Sequence, residues 1–308
     1  MSSITNKKLT IILISISVLV YGTNSVVAQY SHPLVTSFGI KGSGDGEFYE
    51  PHSIAFDSHD NMYITDEKNH RVQKFTSNGT FVTKWGTNGS ADGQFILPEG
   101  IDVDSLGFIY VADTGNSRVQ KFTSNGTFLT KWGTYGSGDG QFSSHAHGIA
   151  IDSSNNVYVT DRFNHRIQKF TSNGTFLTKW GTYGSGDGEF NEPHSSAIDS
   201  SNNVYVSDMN NHRVQKFTSN GTFLTKWGTY GSGDGEFGRS FGIDRDSSNN
   251  IYVVDQDNVN VQKFTSNGTF LTKLLSKEFS KLEDIELDSH NNIYVTDRNR
   301  DMILKLTD

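Results

Sequence analysis

The sequence predicts an all-β protein that repeats one unit of four strands. A segment that begins at Val72 and reads VQKFTSNGTFVTKWG returns almost unchanged four times, at intervals of 47 or 48 residues. A period of this length marks an array of similar structural units. The 308 residues also include 31 glycines and only four prolines, which suits many short strands joined by glycine turns. The copies start at Val72, Val119, Ile167, Val214 and Val261, and a shorter sixth copy starts at Ile303.

The repeated segment itself predicts a β-hairpin. Residues 72–76 and 81–85 are rich in β-branched and aromatic side chains, as strands are. Between them lies Asn78-Gly79, a dipeptide that tolerates positive φ and favours a tight turn matched to the strand twist. Ahead of this hairpin, residues 53–57 and 62–66 read as two further strands. Four antiparallel strands in each repeat, arranged radially, form the blade of a β-propeller.

The number of units predicts six blades. The sixth unit ends before a fourth strand, whereas residues 35–39 match the segment that closes blade three. We therefore expect a six-bladed β-propeller of four-stranded antiparallel blades, closed by pairing of the N-terminal strand with the last blade. Closure leaves no free boundary between the first and last blades, which favours a monomer. Each unit is preceded by a phenylalanine, at Phe48, Phe95, Phe142, Phe190, Phe237 and Phe279.

The N-terminus predicts export. Lys7 and Lys8 precede an apolar run over residues 9–20, and residues 26–28 offer small side chains for a signal peptidase. We assign residues 1–28 to a signal peptide and residues 29–308 to the propeller, and expect an extracellular or cell-surface location. An uncleaved membrane anchor over residues 9–28 is the alternative.

Charge and cysteine content narrow the classes of partner. The net charge is −8, and an acidic surface repels phosphate backbones, which counts against nucleic acid. The chain has no cysteine, so neither disulfides nor thiolate metal sites can stabilise it.

Three units carry the triplet Asn-His-Arg before the hairpin, at residues 69–71, 164–166 and 211–213. With the Y-I-T-D before them and the V-Q-K-F after them, these triplets resemble the NHL repeat, over residues 35–308. The resemblance implies a six-bladed propeller. It does not imply one function, because the family includes scaffolds, sensors and a few enzymes.

An aspartate stands five residues before an arginine in blades one to four. A carboxylate at such a turn can accept backbone hydrogen bonds and pair with the guanidinium. Because the pair is repeated, we expect a structural role. The pairs are Asp66 and Arg71, Asp113 and Arg118, Asp161 and Arg166, and Asp208 and Arg213.

One position just before the innermost strand supplies candidate metal ligands. Inner strands line the central channel of a propeller, so side chains from all six blades converge there. Imidazoles and carboxylates suit zinc, calcium or another divalent ion. Phe241 occupies the position in blade five, and the candidate ligands in the other blades are His52, Glu99, His147, His194 and Glu283.

The motifs around these histidines are similar to the histidine positions of peptidyl-hydroxyglycine amidating lyases, which are zinc propellers. That resemblance implies a metal-dependent lyase or hydrolase. Here, however, the histidines lie in blades one, three and four, and the loops lack the tyrosine of those enzymes. Duplication of whole blades also explains the repeated histidines. The favoured interpretation is a non-catalytic binding or scaffold protein, with the metal-dependent enzyme as the alternative.

The loops between the second and third strands predict a binding face for a protein, peptide or glycan. They vary between otherwise copied blades, and rigid blades hold such loops in place. Phe163 and Met209, if exposed, would form an apolar surface. The predicted binding residues are Glu67, Lys68, Arg162, Phe163, Met209, Asn210, Gln256 and Arg298.

Two other motifs received separate interpretations. The G-S-G-D-G segments resemble calcium or phosphate loops, but they lack the later glutamate or lysine and are better explained as linkers between blades.

Six sequons permit N-glycosylation of an exported chain. Their asparagines are Asn78, Asn88, Asn125, Asn173, Asn220 and Asn267.

Overall fold

The computed structural model, which describes residues 29–31 and 34–307, confirms the six-bladed propeller. Six blades of four antiparallel strands each form a ring around a channel; the four strands are consecutive in blades one to five, and the outer strand of blade six comes from the N-terminal part of the chain. The predicted signal peptide or anchor at residues 1–28 lies outside the described residues.

Each blade runs from the channel outwards. The innermost strands are Pro51–Phe56, Pro98–Val103, Ala146–Ile151, Pro193–Ile198, Ser240–Arg245 and Leu282–Leu287. The second strands are Met62–Asp66, Ile109–Asp113, Val157–Asp161, Val204–Asp208, Ile251–Asp255 and Ile293–Asp297. The third strands are Arg71–Phe75, Arg118–Phe122, Arg166–Phe170, Arg213–Phe217, Asn260–Phe264 and Met302–Thr307. The outer strands are Phe81–Trp85, Phe128–Trp132, Phe176–Trp180, Phe223–Trp227, Phe270–Leu274 and Leu34–Phe38.

Short 3₁₀ helices join the second and third strands of blades one to four. No helix in the described part of the chain is long or apolar enough to cross a membrane. These helices are Glu67–Asn69, Thr114–Asn116, Arg162–Asn164 and Met209–Asn211.

The two ends of the chain close the ring as predicted. Leu34–Phe38 pairs antiparallel with Met302–Thr307, with Val35 opposite Leu306 and Phe38 opposite Ile303. An additional strand, Gln29–Ser31, pairs in parallel with Phe270–Leu274 at the outer edge of blade five. The sequence analysis did not predict this additional strand.

The hairpins form as predicted, but their turns differ in detail. The Gly79 N–H donates to the Thr76 carbonyl at 2.9 Å, which closes a four-residue turn. Gly79 has φ of 82°, whereas Asn78 is not among the residues with positive φ. This is a type I turn followed by a left-handed glycine, so only the second residue of the Asn-Gly dipeptide adopts positive φ.

The Asp–Arg pairs have the predicted structural role. Arg71 Nε donates to Asp66 Oδ2 at 2.7 Å, and its terminal nitrogens donate to the Ser43 and Gly44 carbonyls of the linker before the blade. Asn69 donates to the Gly42 carbonyl of the same linker. Equivalent contacts recur in blades two to four, so these side chains fix the linker that precedes each of these blades against the blade.

Candidate metal centre

A β-bulge aims the candidate ligands into the channel. In blade one, Pro51 pairs with Asp66 and Ile54 with Ile64, so the inner strand carries one extra residue between these pairs. His52 lies in this bulge, and bulges redirect side chains. The same irregularity occurs in the other five inner strands, so all six predicted ring positions occupy equivalent places.

Contacts between neighbouring blades hold the backbone of the ring. Thr296 donates to the His52 carbonyl at 2.9 Å, and Thr160 donates to the His194 carbonyl at 2.9 Å. Each hydroxyl comes from the second strand of the preceding blade. The position of each ring residue therefore depends on two blades.

Four of the five predicted ligands converge on one point. The donor atoms of His52, His147, His194 and Glu283 all lie within 4.8 Å of one another. Glu283 Oε1 lies 3.4 Å from His52 Nε2 and 3.3 Å from His194 Nε2. Two ligands about 2.0 Å from a tetrahedral zinc ion are separated by about 3.3 Å. Glu99 belongs to a neighbouring group with His52 and Glu67, and its Oε2 also lies 3.4 Å from His147 Nε2.

The hydrogen bonds around these side chains suit metal ligands. His147 Nδ1 lies 2.9 Å from the His194 carbonyl, a contact that places the proton on Nδ1 and leaves the lone pair on Nε2. Gln256 Nε2 donates to Glu283 Oε2 at 3.1 Å, so Glu283 Oε1 remains directed at the histidines. Partners of this kind orient metal ligands in proteins. Among the described residues, His52 Nδ1 and both ring nitrogens of His194 are buried without a hydrogen-bond partner.

The electrostatics of the ring favour neutral imidazoles. Burial lowers the pKa of His52, His147 and His194 well below the usual value. Neutral imidazole is the form that binds a metal. Burial, reinforced by Glu67, raises the pKa of Glu99 to about 8, which makes Glu99 a protonated neighbour at neutral pH.

The loop residues above the ring cover it. Glu67, Met209 and Gln256 are buried. Arg298 pairs with Glu67 at 2.7 Å and lies 3.6 Å from Glu283. The ring histidines are only 2–3% exposed, so the candidate centre is sealed beneath the loops and does not open at the channel mouth.

The predicted binding face is therefore divided between buried and exposed residues. Phe163 is 42% exposed, whereas Met209 is 2% exposed, with its sulfur 3.9 Å from Arg162. The predicted apolar surface of Phe163 and Met209 is therefore not present, because only Phe163 is exposed. Lys68 and Asn210 are partly exposed.

The histidines of the Asn-His-Arg triplets serve another purpose. His70 Nδ1 accepts a hydrogen bond from the Leu97 N–H at 3.1 Å, and His165 Nδ1 accepts one from the Glu192 N–H at 3.1 Å. Each contact joins a blade to the next one. These histidines stabilise blade packing outside the candidate centre.

Below the ring lies a chamber that the sequence analysis missed. A gap of about 10 Å³ adjoins the three imidazoles and shares Ser53, Gly148, Ser195 and Asp284 with a chamber of about 400 Å³ that extends to the turns after the inner strands. The fifth residue of the inner strand is acidic in blades two, five and six and alanine in the others. This difference was visible in the aligned repeats. The acidic residues are Asp102, Asp244 and Glu286, and the alanines are Ala55, Ala150 and Ala197.

The predicted glycosylation sites are all exposed. The asparagine of each sequon lies on the surface, five of them in the outer hairpin turns. Glycans there would project from the rim of the propeller and leave both ends of the channel open.

Comparisons with known proteins agree with this architecture. The family model described as NHL repeat matches residues 48–75, 95–122, 144–170 and 190–217. None of the curated proteins matches the sequence.

Several solved structures share the fold. Virginiamycin B lyase from Staphylococcus aureus, in a structure with quinupristin, is 14% identical with a TM-score of 0.64, over 89% of this chain and 85% of that chain. A gluconolactonase from Xanthomonas campestris is 12% identical with a TM-score of 0.64, over 91% and 99% of the two chains. A protein of unknown function from Bacteroides thetaiotaomicron is 18% identical with a TM-score of 0.67, over 88% and 74%. At these identities the likeness establishes the fold alone. Four units of the chain match the NHL repeat, and six four-stranded blades form one closed ring, so the chain is a six-bladed β-propeller that contains NHL repeats.

Proposed function

We propose that this propeller is an exported binding or scaffold protein whose channel is closed by a buried zinc ion. The observation that carries the metal assignment is the convergence of His52, His147, His194 and Glu283 within 4.8 Å. Three nitrogens and one carboxylate oxygen suit tetrahedral zinc. Calcium prefers oxygen ligands and larger coordination numbers, so the donor set disfavours it.

The burial of this centre supports a structural role for the ion. All four side chains are 2–3% exposed. Four protein ligands without a solvent-facing position are typical of structural zinc, whereas catalytic zinc keeps a position for water or substrate. The ligands come from blades one, three, four and six, so one ion would tie four blades together at the axis.

A rigid ring of this kind would present its loop face to a partner. Phe163 is exposed on that face. Tyr183 is 70% exposed and packs against His165 with ring centroids 4.9 Å apart. Exposed aromatic rings on a fixed backbone bind with little loss of conformational entropy. A protein, peptide or glycan is the class of partner that such a surface favours.

Metal analysis tests the zinc assignment. We expect about one zinc per chain in protein purified without chelator, and removal of the metal to lower the melting temperature by about 10 °C. His147→Ala should lose the zinc. His165→Ala is the matched control and should retain it, because His165 lies outside the ring. A folded, metal-free wild-type protein with unchanged stability in His147→Ala would contradict the assignment.

The metal-dependent lyase or hydrolase is the second candidate, and the gap beside the imidazoles favours it. A ligand that reached the metal through this gap would occupy an open coordination position. Cobalt substitution separates the two functions. The spectrum of a closed structural site should not change when azide is added, whereas a catalytic site with an open position should bind azide and change its spectrum.

Binding arrays test the loop face. Labelled protein applied to arrays of glycans and peptides should show a signal that falls about tenfold in Phe163→Ala, because exposed aromatic side chains often dominate binding energy. Leu106→Ala is the control, since Leu106 is 73% exposed but lies in the turn after an inner strand, at the opposite end of the channel. An equal loss in both variants would contradict recognition by the loop face.

A further inference from the structure

The chamber below the histidine ring is strongly acidic. Seven carboxylic side chains and one cationic side chain, Arg245, are among the described residues that line it. Arg245 Nε is engaged with the Ile198 carbonyl at 2.7 Å. A cleft of one charge sign with low-dielectric walls concentrates ions of the opposite sign. The chamber therefore favours positively charged ligands, and the binding of a cation would promote release of the protons that burial holds on Asp102, Asp244 and Glu286.

The three acids at the fifth inner-strand position are the distinctive part of this lining. Asp102, Asp244 and Glu286 interact with one another electrostatically across the channel. The equivalent residues of blades one, three and four are Ala55, Ala150 and Ala197. An acid is thus not needed to build an inner strand, since three blades of the same ring form theirs without one.

A second feature of the chamber points to a ligand. Ser196 lines the chamber and is 5% exposed, and its hydroxyl has no hydrogen-bond partner among the described residues. A buried hydroxyl without a partner is costly. In the other five blades this position holds isoleucine, at Ile54, Ile101, Ile149, Ile243 and Ile285. Ser196 thus places an unpaired polar group where the fold otherwise packs a hydrocarbon side chain.

The shape of the site distinguishes an organic cation from a metal ion. Within the described part of the chain, the groups whose donor atoms lie within 4.8 Å of one another are both in the histidine ring, and neither includes Asp102, Asp244 or Glu286. The chamber volume of about 400 Å³ is in the range of small-molecule pockets. Its walls also carry aliphatic side chains such as Ile149 and Ile198, which suit a hydrocarbon chain between charged groups.

We propose that the chamber binds an alkyl polyamine, whose ammonium groups contact Asp102, Asp244 and Glu286 while its methylene groups pack against the isoleucines. The ligand enters from the turns after the inner strands, at the end of the channel opposite the predicted loop face. This site does not depend on the metal or on the loop-face partner, so it can exist whether or not those proposals hold.

Calorimetry with spermidine tests the proposal on the full mature chain at physiological ionic strength. Wild-type protein should bind spermidine, and 1,8-octanediol, a neutral chain of similar length, should not bind. Asp102→Ala, Asp244→Ala and Glu286→Ala should each weaken spermidine binding at least tenfold. Alanine already occupies this position in three blades, so these variants should fold, and their thermal unfolding checks that they do.

The control variant is Asp139→Ala, because this linker aspartate has a side chain that is 59% exposed and far from the chamber lining. It should bind spermidine like the wild type. The proposal is overturned if spermidine does not bind, if Asp139→Ala weakens binding as much as the chamber variants do, or if magnesium binds at the three acids and spermidine does not displace it.

Discussion

At the scale of single residues, one side chain at five of the six inner turns connects a blade to its neighbour. Asn155 Oδ1 accepts a hydrogen bond from the Ser105 N–H at 3.1 Å, and Asp60 accepts the equivalent bond from Ser289 at 3.0 Å, across the point where the ring closes. The asparagines and Asp60 have φ near 60°, a conformation that Asn and Asp tolerate better than most residues. Five of the six junctions have this contact. The sixth has Gly107, which lacks a side chain.

We therefore expect Gly107→Asn to stabilise the propeller. Gly107 has φ of 80°, and a Cβ there would meet no atom within 4 Å. The new side chain can accept the Ser58 N–H, which should raise the free energy of unfolding by about 0.5–1 kcal/mol. Chemical denaturation measures the change. Gly107→Ala keeps the positive φ without the hydrogen bond and should lower stability, so equal effects of the two substitutions would refute the role of this contact.

At the scale of elements, the outer hairpin packs against the hairpin of the next blade. Gly174 has φ of 83°, and a Cβ at this residue would lie 2.5 Å from the Trp132 ring of the preceding blade. Gly126, Gly221 and Gly268 have the same relation to a tryptophan. The glycine of the Asn-Gly dipeptide thus meets two requirements, the turn conformation and the approach of an aromatic ring.

Gly174→Ala should lower the free energy of unfolding by about 2–4 kcal/mol, because it combines a left-handed alanine with a steric clash. Gly93→Ala separates the two causes. Gly93 has φ of 76° and no atom within 4 Å of a Cβ, so its substitution should cost only about 1 kcal/mol. Urea denaturation of both variants checks the prediction. Similar losses in the free energy of unfolding would show that the Trp132 ring moves to accommodate the new methyl group and that the clash contributes little.

At the scale of the whole molecule, ring closure gathers charges that are far apart in the sequence. Asp102 belongs to blade two and Asp244 to blade five, yet they interact in the channel. Burial raises the pKa of each to about 7. The other titratable groups that interact with them are Asp104, Asp284, Glu286 and Arg245. Closing the ring therefore places acids where ionisation is unfavourable.

This arrangement predicts that Asp102 and Asp244 make a contribution to stability that falls as pH rises from about 4 to about 7. Over this range the folded state holds protons on the two aspartates that the unfolded state has released, since an unperturbed aspartate has a pKa of about 3.9. The ring histidines, whose pKa is lowered by burial, act in the opposite direction, so the test compares variants. Stability of the Asp102→Ala/Asp244→Ala variant should rise more, or fall less, with pH than that of the wild type, and Asp139→Ala should show the wild-type pH dependence. A double variant with the wild-type pH dependence would contradict the assignment.

The sequence by itself determined the blade, the number of blades and the pairing of the chain ends. These features depend on local strand patterns and on a repeat that is nearly identical in five copies. The strand prediction for one unit therefore applies to most of the ring. The register of the repeats also identified the ring of His52, Glu99, His147, His194 and Glu283.

The tertiary structure decided which of these side chains meet and which surfaces are open. Repeats give equivalent positions but not distances across the channel, so the grouping of Glu283 with the histidines and of Glu99 with Glu67 required the closed ring. Burial of Met209 depends on its contact with a neighbouring blade. The chamber likewise exists only because six inner strands surround a common axis, which no single repeat encodes.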